Sequence, residues 1–171
     1  MIESPVKVSE DEFYEKLGKS GRKSSELKEY YTKNYLNRFY KVSLTGGHIK
    51  HLIVCSHENI REPFEKYYGI PTDAYDKIRT LEVLSLLLKG REEGFFKYKW
   101  FEPVKKVRDK FDDVAFCKPF FIRDLLENEP KFGSFYLEDG AHRLFGRALR
   151  DGLDFKIEAY LATKTSHISL L

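Results

Sequence analysis

Asp139, His142 and Arg143 fall within the five-residue stretch Asp139-Gly140-Ala141-His142-Arg143. A carboxylate holds cations or takes a proton, and an imidazole exchanges protons near neutral pH. A guanidinium forks onto phosphate oxygens in a way lysine cannot copy. The residues around them show how they are held. Phe135 and Leu137 alternate as in a strand, and Asp139-Gly140 reads as a tight turn. Ala141, Leu144, Phe145, Ala148 and Leu149 then follow the spacing of an amphipathic helix, stopped at Gly152. A polar turn between a strand and a helix start gathers free N–H groups and the positive end of the helix dipole, so it welcomes an anion.

Other candidates are less self-contained. Ser56-His57-Glu58-Asn59 directly follows an apolar run, and polar residues at a strand end are a common place for function. Taken alone, Glu58 reads as a helix-start carboxylate, with Ser56 or Asn59 as the cap. Lys19, Arg22 and Lys23 form a basic cluster, read first as a solvated loop and alternatively as a phosphate-facing lid. Gly18-Lys19-Ser20 lacks the glycine spacing of a P-loop. His48 and His51 have no cysteine or carboxylate at ligand spacing, so zinc is not expected.

The positioning elements are read in chain order. Ser9 with Glu12 makes a capping box for a short helix carrying Phe13 and Leu17. A longer helix is expected from Ser25 to about Phe39. Tyr40 to Cys55 reads as a β-hairpin turning at Gly46-Gly47. A helix from Ile60 to about Tyr68 follows. A second helix, capped by Thr72 or Asp73, is expected to run to about Gly90. Phe95 to Phe101 alternates aromatics with lysines, as an edge strand guarded by lysine does; a stacking surface for single-stranded nucleic acid has the same composition. Val104 to Phe111 reads as a basic helix, Val114 to Ile122 as a strand interrupted or started at Pro119, and Arg123 to Glu127 as a helical turn. Asp154 to Ala162 alternates as a last strand, with Phe155, Ile157, Ala159 and Leu161 on one face.

The chain has 171 residues, 42% of them hydrophobic and 15% aromatic, enough to build one core. A formal charge of +3 does not by itself argue for nucleic acid. No apolar run nears the roughly 20 residues of a membrane helix, and the N-terminus lacks the pattern of a secretory signal. Cys55 and Cys117 sit in apolar contexts and read as reduced, buried cysteines of a cytoplasmic protein; a disulfide stays open as the alternative.

Asp139-Gly-Ala-His-Arg143, set between strand and helix and followed by Gly152 and a final strand, resembles the nucleotide-binding turn of the ParB/sulfiredoxin-like superfamily. The resemblance covers about residues 118–162 and extends weakly to 49–60. It implies an α/β (α+β) single domain, with a small mixed sheet flanked by helices. An N-terminal helical extension would occupy 1–39, the domain 40–162 with a helical insertion at about 70–112, and a tail 163–171. Sulfiredoxins look like Gly-Gly-Cys-His-Arg at the turn; Ala141 replaces the nucleophilic cysteine here. Partition-type ParB proteins look like Gly-Glu-Arg-Arg and continue into a helix-turn-helix domain, for which the stretch after Ala162 has no room. The small-molecule kinases typified by free serine kinases look like Asp-Gly-His-His-Arg and carry a His-Glu pair after an early strand, matched here by His57-Glu58. The two elements lie farther apart than in the compact family pattern.

The resemblance therefore implies a magnesium-dependent kinase moving a phosphoryl group from ATP or ADP to a small-molecule hydroxyl, on an amino acid, a sugar or a glycan precursor. Gly140, Ala141, His142 and Arg143 would hold the phosphates. Asp139 would hold Mg²⁺ or orient the hydroxyl, Glu58 would be the general base, and His57 would touch substrate. ATP, ADP and CTP stay open as the nucleotide. The alternative is a ParB-like nucleotide-regulated nucleic-acid-binding protein or nuclease, using Phe95 to Phe101 with Lys105, Lys106, Arg108 and Lys110.

Overall fold

Strands β2 (Leu36–Leu44) and β5 (Ile157–Lys164) pair antiparallel in the middle of the fold. Around them β1 (Glu3–Lys7), β3 (Phe120–Arg123) and β4 (Tyr136–Asp139) complete a sheet ordered β1-β2-β5-β3-β4, in which only the β3–β5 pairing is parallel. The structure is a computed structural model and describes residues 3–20, 23–110, 118–130 and 132–164. Among these, no helix is long and apolar enough to cross a membrane.

The sheet is buried on both faces. Ile157, Ala159 and Leu161 of β5 face one hydrophobic cluster with Phe120 and Ile122 of β3 and Val42 and Leu44 of β2. Tyr160 and Ala162 face the other, as strand alternation requires, together with Phe121 and Phe39. A register shift between Leu36 and Arg38 accompanies the turn of Leu36 onto this second face. The second face is closed by α1 (Glu10–Lys19) and α2 (Ser24–Lys33), which bring Phe13, Leu17 and Tyr31. Ser9 accepts from the Glu12 N–H and caps α1 as the sequence predicts. The helix expected to reach Phe39 instead stops at Lys33. There the Asn34 amide bonds the Tyr30 carbonyl at 2.8 Å, and Tyr35 takes the left-handed φ of +59° before β2 begins.

Helices cover the first face: α3 (Gly46–Lys50), α4 (Glu58–Tyr68), α5 (Thr72–Ile78), α6 (Leu81–Lys89), α7 (Glu92–Phe95), a 3₁₀ turn (Lys99–Phe101), α8 (Glu102–Asp109) and α9 (Ala141–Asp151). Gly152 ends α9 as expected, and the last strand, expected over Asp154 to Ala162, runs Ile157–Lys164 and leaves Phe155 outside it.

Four expectations fail here. The Gly46-Gly47 hairpin is absent. The chain winds α3 instead, with Ile49 buried, and residues 51–54 run beside β4. Ile53 donates to the Phe135 carbonyl at 2.8 Å and accepts from the Leu137 N–H at 2.9 Å. The helix expected through to Gly90 breaks at Arg79-Thr80, because this backbone pairs with the same segment. Val54 donates to the Arg79 carbonyl, Leu81 donates to the Leu52 carbonyl, and Thr80 caps α6. Phe95 to Phe101 is not an edge strand: α7 and the 3₁₀ turn bury Phe95 and Phe101 against Phe64, and only the lysines between stay exposed. Finally, Arg123 closes β3 rather than opening a helix, and the turn after it is held by Glu129 N–H donating to the Leu126 carbonyl. Of the strand read from Val114 to Ile122, residues 114–117, including Cys117, lie outside the described part; β3 starts directly after Pro119.

Candidate functional site

β4 delivers Asp139 to the end of the sheet and Gly140 turns the chain into α9. Gly140 has φ +109°, and a Cβ there would sit 2.2 Å from Cδ1 of Phe120. Both facts reserve the position for glycine. Gly140 at the cap has no side chain to offer α9, whose first regular hydrogen bond runs from the Leu144 N–H to the Gly140 carbonyl at 3.0 Å. The N–H groups of Ala141 to Arg143 thus precede the first regular bond of the helix and lie at the positive end of its dipole.

Gly140, Ala141 and His142 open onto a cavity of about 540 Å³, the turn cavity. Its walls come from distant parts of the chain. Trp100 stands over His142 with ring centroids 4.2 Å apart. Cys55, His57 and Asn59 arrive from the end of the 51–54 segment and the start of α4, and Tyr136, Glu138 and Asp139 from β4. A second cavity of about 470 Å³, the lysine cavity, is lined by Lys16, Lys19, Ser20, Lys118, Pro119, Asp139 and Arg143. Ser20 and Asp139 line both.

Arg143 joins the parts. Its Nη1 donates to the Lys118 carbonyl at 2.6 Å, and Nη2 donates to the Pro119 carbonyl at 3.0 Å and to Asp139 Oδ2 at 3.4 Å. Its guanidinium also lies 4.1 Å over the Phe120 ring. Burial lowers its pKa from the usual arginine value, and the Asp139 carboxylate works against that. Arg143 therefore fixes the Lys118–Pro119 segment and Asp139 as well as facing the lysine cavity.

The floor of the turn cavity rests on a buried charge cluster. Arg123, 3% exposed, bonds Glu138 through Nε at 2.6 Å and clamps Glu129 with Nη1 and Nη2 at 2.6 and 2.7 Å. Its guanidinium lies 3.9 Å over the Tyr136 ring. Burial pulls the Arg123 pKa down, but the pairs with Glu129 and Glu138 outweigh it and leave the group raised. Burial likewise pushes the Glu129 carboxyl up, and its bonds to Arg123 and to the Leu126 N–H reverse this, so it ends below the carboxylate range. The Tyr136 phenol is raised, first by burial and then by Cys55 beside it. Cys55 is a free thiol, partly buried against the core.

The structure brings together His57, Asp139, Gly140, Ala141 and His142 around one cavity, with Arg143 on the adjoining one. Glu58 is exposed at the first position of α4 and lines neither, although His57 and Asn59 on either side of it do. The α4 cap is neither Ser56 nor the Asn59 side chain: His57 Nδ1 accepts from the Asn59 N–H at 3.2 Å. Likewise neither Thr72 nor Asp73 caps α5; Pro71 precedes it and the Thr72 hydroxyl donates to Glu65 at 2.8 Å. Of the basic cluster, Lys19 faces the lysine cavity, Lys23 pairs with Glu26 at 3.1 Å, and Arg22 lies outside the described residues. Lys16, Lys118 and Trp100 were missed as site residues. Only the mixture of Trp100 with other aromatics hinted at a stacking role. Phe95 and Phe101 of that strip are buried and Trp100 faces the turn cavity; Lys105, Lys106 and Lys110 stay exposed on and just after α8, while Arg108 pairs with Glu92 and Asp109.

Among the described residues no three His, Cys, Asp or Glu side chains gather as metal ligands. Mg²⁺ asks for less, commonly one or two carboxylates with phosphate oxygens and water, and Asp139 fits as such an arm. Compared with protein-family models, with curated proteins and with solved structures, the chain finds no match, so the functional reading rests on this geometry and on the turn motif.

Proposed function

We propose that the protein is a nucleotide-dependent kinase that phosphorylates a hydroxyl of a small molecule. The observation that carries this reading is the start of α9 lining a cavity walled by Trp100, with Asp139 at the junction to a second, basic cavity. The resemblance of Asp139-Gly-Ala-His-Arg143 to the turn of ParB/sulfiredoxin-like small-molecule kinases points the same way. A nucleotide base would stack on Trp100, and its phosphates would take the N–H groups of residues 141–143. Mg²⁺, held by Asp139 and the phosphate oxygens, would spread the charge of the transferring group.

In the reaction the acceptor oxygen bonds to the terminal phosphorus, and the bond from that phosphorus to the bridging oxygen breaks. The electron pair leaves with the shortened nucleotide, and the hydroxyl proton passes to a carboxylate. Asp139, which lines both cavities, would take that role where Mg²⁺ rests on the phosphate oxygens alone, and Glu58 where Asp139 holds the metal. ATP or ADP as donor agrees with a cytoplasmic location.

The test is calorimetry with ATP, ADP and CTP, with and without Mg²⁺, followed by turnover assays on a panel of hydroxyl acceptors. Asp139→Asn is expected to lower turnover by a factor of about 10²–10⁴, and Glu58→Gln to leave most of it. Loss in Glu58→Gln alone would exchange the two roles. Absence of binding by all three nucleotides would overturn the kinase reading. The question would then pass to Lys105, Lys106 and Lys110 and salt-dependent nucleic-acid binding.

A further inference from the structure

We infer that the acceptor is itself an anion: a hydroxyl compound bearing a phosphate group, which the lysine cavity holds. The inference rests on the kinase reading and deepens it. Four cationic side chains, Lys16, Lys19, Lys118 and Arg143, line this cavity against the single carboxylate of Asp139. Two of the four are already engaged: Arg143 by backbone carbonyls and Asp139, and Lys19 by Glu15. Lys16 and Lys118 are exposed and carry no ion pair among the described residues. The local charge therefore stays positive after internal pairing. Two lysines facing one cavity suit a doubly charged phosphate monoester better than a neutral sugar or alcohol.

Geometry divides the labour between the cavities. The helix N-terminus and the aromatic wall belong to the turn cavity, and the lysines belong to the other. Each has room for a small molecule, at about 540 and 470 Å³. A nucleotide seated on Trp100 with its phosphates at α9 fills the first and leaves the lysines for a second ligand. Asp139 and Ser20 stand where the two ligands would meet. The outer lysine wall comes from α1, whose Phe13 and Leu17 are packed into the sheet, so Lys16 is carried on an anchored helix rather than on a loop.

The experiment is titration of the full chain with inorganic phosphate, alone and with saturating ADP, followed by amide chemical shifts. Wild type is compared with Lys16→Gln/Lys118→Gln, a pair of exposed positions whose change should not cost the fold. Phosphate is expected to shift Ser20 and Lys118, to bind in the presence of ADP, and to lose at least about tenfold in affinity in the double variant while ADP affinity holds. Displacement of phosphate by ADP, with both weakened by the double substitution, would overturn the inference, because the lysines would then hold the nucleotide's own phosphates and the kinase reading would survive. Phosphate affinity equal in wild type and variant would also overturn it. If ADP fails to bind while phosphate still binds through Lys16 and Lys118, the anion site stands and the kinase reading falls.

Discussion

Gly140 carries two demands that no other residue meets. Its φ of +109° disfavours any side chain, and a Cβ would sit 2.2 and 2.8 Å from carbons of Phe120 and 3.2 Å from Arg143 Nη2. Phe120 is buried in the sheet and cannot retreat cheaply. Gly140→Ala is therefore expected to cost about 3 kcal/mol or more from backbone strain and overpacking together, read as a drop in denaturant midpoint at unchanged slope. Wild-type stability in that variant would mean that the turn has other ways to close. Arg123 is the second critical residue. It is the buried cation for Glu129 and Glu138, so Arg123→Met strands two carboxylates and should cost about 3–5 kcal/mol. Arg123→Lys keeps the charge but not the fork, and an intermediate loss is expected. At this scale the turn itself was legible, because carboxylate, glycine, imidazole and guanidinium lie within five positions. Lys16, Lys118 and Trp100 were not, since nothing local in sequence says that three separate elements converge on Asp139.

Between helices, α8 and α9 cross closely at Gly146. A Cβ there would lie 2.5 Å from Cβ of Val107 and 2.9 Å from the Val104 carbonyl. Alanine in place of glycine inside a free helix would gain about 1 kcal/mol. Here it would have to push α8 away, and α8 follows directly on the turn that carries Trp100. Gly146→Ala is thus expected to destabilise and to alter the emission of Trp100, the single tryptophan of the chain. A rise in melting temperature with unchanged emission would show that α8 slides without cost. The same crossing explains which elements could be read in advance. α1, α4 and α9 carry their apolar residues on one stripe, and the helical period alone reveals them. Residues 44–54 and 95–101 gave no such signal, and the stripe that reveals Leu81–Lys89 does not show the break before it. Gly46-Gly47 serves a helix start as well as a hairpin, and Arg79-Thr80 leaves its helix only because segment 51–54 needs a backbone partner. An aromatic alternating with lysine fits a strand by period, yet Phe95 and Phe101 are placed by contact with Phe64.

Over the whole molecule, the layers on either side of the sheet bury titratable groups of opposite pH sensitivity. Glu129 has its folded pKa below the unfolded carboxylate value of about 4.3, so the stability it contributes is present above that value and is lost as pH falls through the folded one. Tyr75 and Tyr136 are raised above the phenol value of about 10 chiefly by burial. Their folded neutral form is favoured, so the stability they contribute is complete below pH of about 10 and drains away as pH climbs toward the folded values. Tyr136 lines the turn cavity and Glu129 shares Arg123 with Glu138 beneath it, whereas Tyr75 is buried away from them in the first cluster against Phe64. The expected stability profile is a plateau between about pH 5 and 9 with a fall on each side. Tyr136→Phe removes one phenol and should make the alkaline fall shallower while leaving the acid side as it was. Glu129→Gln should do the converse, flattening the acid limb from a lower plateau because Arg123 loses half of its clamp. Denaturant midpoints measured across pH on the three proteins decide the matter. An alkaline limb as steep in Tyr136→Phe as in wild type would assign the fall to Tyr75 and separate it from the floor of the site.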